Sequence, residues 1–153
     1  IHSVINMRLR QPKEKIKNVS DSIHDIKFSR GGILDIEYAI QAYQMKFGKE
    51  QSSLQTENTL QAIGSLQKLS LITGDEAQTL SQNYSFLREL EVFNYLAFER
   101  KSNKLPSDEK QLAFLSKFCK FNKDNRLLEH LAHVKKQNEL LFSKLMREFE
   151  YGK

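Results

Sequence analysis

The chain has 153 residues, a net charge of +5 and a single cysteine, Cys119. This length suits one compact domain, and a single thiol excludes an internal disulfide, which fits a reducing cytoplasm. The sequence has no apolar run long enough to span a membrane, and its interleaved lysines and glutamates indicate a solvated helix surface rather than a nucleic-acid footprint.

Residues 1–24 are predicted to be the end of a preceding helix followed by a linker. The helical pattern stops at Pro12, because proline lacks the backbone N–H that a helix needs. Residues 11–24 are polar and lysine-rich, with little periodicity, which is typical of a loop. The chain begins at Ile1 without an initiator methionine, so we expect it to be a fragment of a longer protein.

A double glycine, Gly31-Gly32, predicts a tight turn before the first core helix, since glycine reaches backbone conformations that cost other residues energy. Apolar residues at helical spacing predict that helix over residues 33–47, with Gly48 as its C-cap. Neighbouring faces of the helix are also apolar, so we expect the carboxylate of Glu37 to be partly buried and to need a partner. The candidate partners in the sequence are Lys27, Arg30 and Arg8.

Two further helices are predicted in the middle of the chain. Apolar residues at a constant spacing of three predict a helix within residues 55–71; they are Leu60, Ile63, Leu66 and Leu69. Thr73 and Glu76 have the Ser/Thr-x-x-Glu spacing of a capping box, which starts a long helix. On that helix Arg88 and Glu91 lie three residues apart and could pair with each other or face a neighbouring domain.

Two more helices complete the predicted bundle. The Pro106 turn starts one of them, and the other is expected over about 126–149, where an apolar stripe is typical of a bundle helix. Asn138 interrupts this stripe and should have a hydrogen-bond partner. We therefore predict that residues 25–153 form one all-α bundle of about five helices, with the Gly-Gly turn before the first core helix.

The loop before the first core helix has two possible interpretations. Backbone N–H groups at the helix N-terminus could hold a phosphate, with Lys27 and Arg30 adding positive charge. Alternatively, Gly31-Gly32 form a tight turn that lets the helix pack closely. A double glycine is a weak phosphate signal without the rest of a P-loop, so the sequence favours the turn.

Catalytic and metal-binding patterns are missing from the sequence. His130 and His133 could share one helix face, but a zinc site takes three or four protein ligands, and neither Cys119 nor His24 has the spacing to complete one. The common hydrolase and NTPase signatures do not occur, and neither does any Asp-x-Asp pair. We therefore predict no metal site and no catalytic residue in this chain.

The segment from Asp25 to Gln41 resembles a motif of the bacterial glutamine synthetase adenylyltransferase family (glutamate–ammonia-ligase adenylyltransferase). The matching residues are Asp25, Lys27, Gly31, Gly32, Ile33, Asp35, Ile36, Glu37 and Gln41. Similar patterns are a Thr-Leu-x-Ala helix at 59–62, a Tyr-x-x-Leu-Arg-x-x-Glu helix at 84–91 and a Leu-Pro-x-Asp turn at 105–108. The chain departs from the family at Ser29, where glycine is common, and at 101–104, where the family usually has Gln-Thr-x-Thr.

The resemblance implies a helical domain that follows a nucleotidyltransferase domain. The parent enzyme would attach AMP to a tyrosine of glutamine synthetase and remove it by phosphorolysis, under control of the PII signalling protein and glutamine. It would use Mg and ATP in a neighbouring domain, whose Asp-x-Asp carboxylates hold the metal ions. This chain lacks that pair, so we expect no cofactor in it and no activity from it alone.

The resemblance also implies partners and a site. The expected partners are the adjacent nucleotidyltransferase domain, glutamine synthetase and PII, with no nucleic acid or membrane, and the expected location is the cytoplasm. The residues expected to face the catalytic cleft or to lie near a phosphate are Asp25, Lys27, Arg30, Gly31, Gly32, Asp35 and Glu37.

Two alternatives remain beside this interpretation. The first is the helical domain of PII uridylyltransferase, whose middle region is related; the turn at 105–108 and the helix at 84–91 favour the adenylyltransferase. The second is a helical interaction module without enzymatic context. The sequence leaves open which of the two tandem halves of the adenylyltransferase the chain represents.

Overall fold

Two long antiparallel helices frame the fold, which a computed structural model describes for residues 19–121 and 124–151. In chain order the helices are α1 (Val19–His24), α2 (Ile33–Phe47), α3 (Thr59–Lys68), α4 (Gly74–Phe98), α5 (Glu109–Phe118) and α6 (Asp124–Tyr151), with a 3-10 turn at Ser52–Leu54 before α3. Within those two ranges the chain has no strand, although Asp25 and Lys104 form an isolated antiparallel bridge. The predicted all-α bundle is confirmed.

The helix directions follow from side chains that meet across the bundle. In α4, with 25 residues, Glu76 pairs with Lys144 and Asn83 with Asn138, so α4 runs antiparallel to α6, which has 28 residues. Helix α2 runs parallel to α6, because its start lies beside Lys135 and its end beside Phe149. Helix α3 packs on α2 and α4, and α5 packs on α4 and α6.

The apolar stripe of α6 is buried as predicted. Its core residues are Leu127, Leu131, Val134, Leu145 and Phe149. Asn138 is buried within this stripe, where its Oδ1 accepts a hydrogen bond from Asn83 Nδ2 and its Nδ2 donates to the carbonyl of Gly31, both at 2.8 Å. The predicted partner of Asn138 is therefore confirmed, and it connects α6 both to α4 and to the Gly-Gly turn.

The N-terminus of α4 confirms the predicted capping box. The Thr73 hydroxyl accepts from the N–H of Glu76 at 3.2 Å, and the Glu76 carboxylate accepts from the N–H of Thr73 at 2.7 Å. Burial by itself raises the pKa of Glu76, but hydrogen bonds from Lys144 and Thr73 outweigh it and lower that pKa. The cap therefore also fastens the start of α4 to the end of α6.

The second predicted helix is shorter in the structure than the sequence suggested. The Gln44 side-chain amide donates to the carbonyls of Leu54 and Thr56, both at 2.8 Å, and these bonds hold the chain in a loop before α3. Asn58 then caps α3 through the N–H of Gln61. Because a spacing of three falls behind the 3.6-residue turn by about 60° per step, Leu60 turns away from the core and is 40% exposed.

The predicted linker over residues 11–24 is wrong at its C-terminal end, where α1 forms. The Lys135 ammonium donates to the carbonyls of Ser22 and Ile23, at 2.8 and 3.2 Å, and so satisfies acceptors at the C-terminus of α1. This contact comes from a residue more than a hundred positions away, so local sequence does not reveal it. The predicted helix end before Pro12 lies outside the described residues.

None of the helices in the described ranges combines the length and the apolar character needed to cross a membrane.

Candidate functional site

The Gly-Gly turn is built on the side chain of Asp25. This residue is 2% exposed, and its Oδ1 accepts hydrogen bonds from three successive backbone N–H groups. The donors are Lys27, Phe28 and Ser29, at 2.9, 2.6 and 3.1 Å. The Ser29 hydroxyl returns a hydrogen bond to the Asp25 carbonyl at 2.6 Å. A short carboxylate at position 25 therefore determines the path of the loop.

The two glycines are required by close approaches of backbone. Gly31 has φ +72°, a conformation that favours glycine, and a Cβ placed there would lie 1.9 Å from the carbonyl oxygen of Lys135 on α6. A Cβ on Gly32 would lie 2.8 Å from the carbonyl oxygen of Lys27. The turn thus lets α2 start directly against α6, as the turn interpretation predicts.

The N–H groups that open α2 already have acceptors within the protein. The N–H groups of Ile33, Leu34 and Asp35 donate at 3.0, 3.2 and 3.1 Å. Their acceptors are the carbonyl oxygens of Ile26, Lys27 and Gly32. The N–H of Gly31 donates to the Asp35 carboxylate. A phosphate at this helix terminus would have to displace these bonds, so the geometry supports a tight turn rather than a phosphate cradle.

Glu37 pairs with a tyrosine hydroxyl, whereas the sequence predicted a cationic partner. Glu37 Oε1 accepts a hydrogen bond from the Tyr84 hydroxyl at 3.0 Å, because this position of α2 faces α4. The two candidate cations lie on the loop and point elsewhere: Arg30 reaches Glu139 on α6 at 3.5 Å, and the Lys27 ammonium lies 5.9 Å from the ring centroid of Phe28. Arg8, the third candidate, lies outside the described residues.

The seven predicted site residues therefore do not converge on one point. Four are buried in the turn itself, namely Asp25, Gly31, Gly32 and Asp35. Glu37 faces α4, and Arg30 is exposed beside α6. Lys27 lines an open groove and Arg30 is exposed, so the structure separates the residues that hold the turn from two cations that a partner could reach.

The groove beside Lys27 has a volume of about 420 Å³ and lies between the loop and the C-terminal half of α4. Its lining residues are Lys27, Glu91, Val92, Tyr95, Lys101, Ser102 and Asn103. Main-chain hydrogen bonds join the two segments beside it: the N–H of Ile26 donates to Asn103 and the N–H of Leu105 donates to His24, both at 2.9 Å. Arg88 pairs with Glu91, one of the lining residues, at 2.8 Å, so the predicted contact between these two residues is present.

The sequence predictions missed two residues that support this region. Tyr84, the partner of Glu37, lies in the Tyr-x-x-Leu-Arg-x-x-Glu pattern, so a signal for it existed. Lys135 carried a weaker signal: it lies four residues after Leu131 and three before Asn138, on the edge of the buried stripe of α6.

Burial changes the titration of Lys135. Desolvation lowers the pKa of its ammonium from 10.5 to about 8, and the charge of Asp25 opposes that shift. At neutral pH the lysine is charged in both the folded and the unfolded chain, so the full cost of burying the charge is present. Between about pH 8 and 10.5 the unfolded chain retains a proton that the folded chain has released, so the contribution of Lys135 to stability rises with pH.

We expect Lys135→Met to abolish this rise. The free energy of unfolding of the wild type, measured by urea denaturation, should increase relative to that of the variant between pH 8 and pH 10.5. The matched control is Lys136→Met, which removes a neighbouring lysine whose side chain is 68% exposed. The difference in unfolding free energy between this variant and the wild type should not change over the same pH range. If the two variants differed from the wild type with the same pH dependence, burial of Lys135 would not be the cause of the rise in stability.

Metal-ligating side chains do not cluster in the part of the chain that the structure describes, where no group of three or more His, Cys, Asp or Glu could hold an ion. His130 packs edge-on against the ring of Phe86, with centroids 4.6 Å apart. Burial lowers the pKa of His130, and the charge of His133 adds to this effect. The contacts of His130 are thus those of a histidine at the edge of the core.

Comparison with known proteins identifies the family. A sequence profile described as "GlnD PII-uridylyltransferase" matches residues 4–146. The chain belongs to this family. Similarity within the family extends to enzymes of another name: a "Bifunctional glutamine synthetase adenylyltransferase/adenylyl-removing enzyme" of Mannheimia succiniciproducens is 32% identical over 122 residues, which cover 79% of this chain.

Two further relatives bear the same name. The protein of Mannheimia haemolytica is 33% identical over 117 residues, 72% of this chain, and that of Idiomarina loihiensis is 34% identical over 86 residues, 56% of this chain. The chain spans only 12% of the length of the first two relatives. The family assignment therefore concerns this domain, and most of each relative lies outside the matched region.

Proposed function

We propose that the chain is the helical domain of a bifunctional glutamine synthetase adenylyltransferase/adenylyl-removing enzyme, and that it supports an adjacent nucleotidyltransferase domain in the regulation of nitrogen assimilation. The observation that carries this proposal is the 32% identity over 79% of the chain to an enzyme of that name. Supporting it, Lys27 and Glu91 line one groove, and they belong to two of the segments that resemble the adenylyltransferase, 25–41 and 84–91. The enzyme would act in the cytoplasm, under control of PII.

In this proposal the chain supplies a rigid support and no catalytic group. The carboxylate of Asp25 and the close contact of Gly31 with α6 fix the loop, so Lys27 is presented at a defined position beside α4. The Mg and ATP of the reaction would be held by the neighbouring domain. Lys27 would face the cleft in which nucleotide and glutamine synthetase meet, where its positive charge favours an anionic group.

The test is an assay of the longer natural protein that contains this domain. We expect it to transfer labelled AMP from ATP to glutamine synthetase in the presence of Mg, whereas the 153-residue chain alone transfers none. Lys27→Met should slow the transfer without lowering the melting temperature, because Lys27 lines the open groove. The matched control, Lys101→Met, removes another lysine that lines the same groove.

The alternative function has a clear signature in the same assay. The matching profile carries the name of PII uridylyltransferase, so that activity is the competing candidate. Transfer of UMP from UTP to PII, with no transfer of AMP to glutamine synthetase, would overturn the proposal in favour of the uridylyltransferase. Absence of both activities would favour a helical interaction module.

A further inference from the structure

A pocket with a volume of about 530 Å³ lies at the C-terminal end of α2, away from the Gly-Gly turn. It is open to solvent and is formed by one face of α2 and by the loop that leads to α3. Its lining residues include Gln41, Gln44 and Met45 on α2 and Leu54, Gln55 and Glu57 in the loop. The wall on α2 continues to Gly48, so the pocket follows the helix for about 10 Å.

Hydrogen bonds within the protein fix the orientation of two glutamine amides in this pocket. Gln44 Nε2 donates to the carbonyls of Leu54 and Thr56, and Gln55 Nε2 donates to that of Gly48, all at 2.8 Å. A carbonyl oxygen only accepts, so the NH₂ end of each amide faces these partners and its Oε1 lies on the other side. Within the ranges that the structure describes, neither Oε1 has a protein donor.

These two oxygens are within reach of a ligand. Gln55 is exposed, and Gln44 Oε1 is in contact with solvent although its residue is half-buried. The lining of the pocket thus has side-chain acceptors whose matching donors are already used inside the protein. A ligand that brings donors finds partners there, whereas a ligand that brings acceptors finds few.

The charge at the pocket is negative. Glu57 is the charged residue of the lining, it is exposed, and no cation of the described ranges forms an ion pair with it. The last turn of α2 adds the partial negative charge of a helix C-terminus. The lysine of that turn, Lys46, is directed to α6, where its ammonium donates to the carbonyl of Phe149 at 3.0 Å. The pocket therefore favours a positively charged ligand.

We propose that this pocket binds an arginine side chain from an exposed segment of a partner protein. A guanidinium group has five N–H donors in one plane and no acceptor, which matches free amide oxygens beside a carboxylate. Its aliphatic stem would lie along Met45, which is 55% exposed, with the buried Leu54 beneath. Because the pocket extends along α2, residues that flank the arginine would contact it too. The site is separate from the groove beside Lys27.

The test is a titration of the 153-residue chain followed by NMR. The probe is the blocked pentapeptide acetyl-Ala-Ala-Arg-Ala-Ala-amide. We expect saturable shifts of the side-chain amide signals of Gln44 and Gln55, and smaller shifts when lysine replaces arginine in the peptide. Glu57→Gln should weaken binding about threefold, as expected for an exposed ion pair. The matched control is Glu109→Gln, which removes an exposed carboxylate on α5 and should retain the wild-type affinity. Both variants should melt close to the wild-type temperature.

Three results would overturn the inference. The first is a lack of saturation up to about 20 mM peptide, a concentration above the millimolar range of weak specific sites. The second is equal weakening by the Glu57 and Glu109 substitutions. The third is equal affinity for a peptide with glutamine in place of arginine. If methylguanidinium bound as tightly as the pentapeptide, the pocket would recognise a free cation, and a protein segment would be rejected as the ligand.

Discussion

Gly31→Ala is expected to destabilise the fold by about 3 kcal/mol or more. The left-handed conformation at φ +72° costs an alanine about 1–2 kcal/mol, and an added Cβ would lie 1.9 Å from the Lys135 carbonyl oxygen, an overlap that typically costs a further 1–3 kcal/mol. Backbone atoms cannot rotate away as a side chain can, so α2 and α6 must separate. The free energy of unfolding from urea denaturation measures the effect.

Gly64→Ala is the matched control for this substitution. Gly64 lies within α3, and a Cβ added there meets nothing within 4 Å. Alanine has the higher helix propensity, so this variant should gain up to about 1 kcal/mol. If Gly31→Ala unfolded at the same urea concentration as the wild type, this result would contradict the close contact between the turn and α6.

Asp25→Ala is expected to cost about 3 kcal/mol, because it removes the acceptor of three backbone N–H groups at once. The hydrogen bonds from Lys27 and Phe28 are partly buried and that from Ser29 is buried, and a buried donor that loses its acceptor costs about 1–3 kcal/mol. In the longer natural protein, the loss should appear as a lower melting temperature. Turnover per folded molecule should fall no further than in Lys27→Met, since the Asp25 side chain is 2% exposed and acts on the reaction only by positioning Lys27.

Two variants show whether this cost comes from the loop. Asp25→Asn retains an oxygen acceptor of similar reach and should lose clearly less stability than the alanine variant. Asp108→Ala removes an exposed N-cap from α5 and should cost about 1 kcal/mol. Equal losses for Asp25→Ala and Asp108→Ala would show that Asp25 acts as an ordinary cap. A loss of turnover without loss of stability would assign it to the reaction instead.

Helices that depend on local signals were predictable from the sequence. Helix α2 has the predicted bounds, 33–47, because apolar periodicity and Gly48 both act within a few residues. The capping box at Thr73 likewise joins residues only three apart. In contrast, α1 has six residues, too few to be stable alone, and depends on Lys135 from α6. The local sequence pattern therefore predicted a linker where α1 forms.

In the candidate site, too, local features could be predicted from the sequence and long-range contacts could not. The motif at 25–37 was recognisable in the sequence, and so was the need of Asn138 for a partner. The identity of the partners was not, because Tyr84 reaches Glu37 and Asn138 reaches Gly31 only after three helices have packed. Lys27 and Arg30 were predicted as partners of Glu37 because they are the cations near it in the sequence. In the folded protein, the facing helix α4 supplies the hydroxyl of Tyr84 instead.

The helical class, the positions of most helix ends and the resemblance to the adenylyltransferases could be predicted from local sequence, since each depends on residues a few positions apart. The packing of the helices was needed to show that the Gly-Gly turn lies against α6, that the N–H groups at the start of α2 have acceptors, and that apolar side chains of α4 and α5 are exposed. The reason is physical. Which groups satisfy one another, and which are left for a partner, depends on how the helices pack rather than on their periodicity.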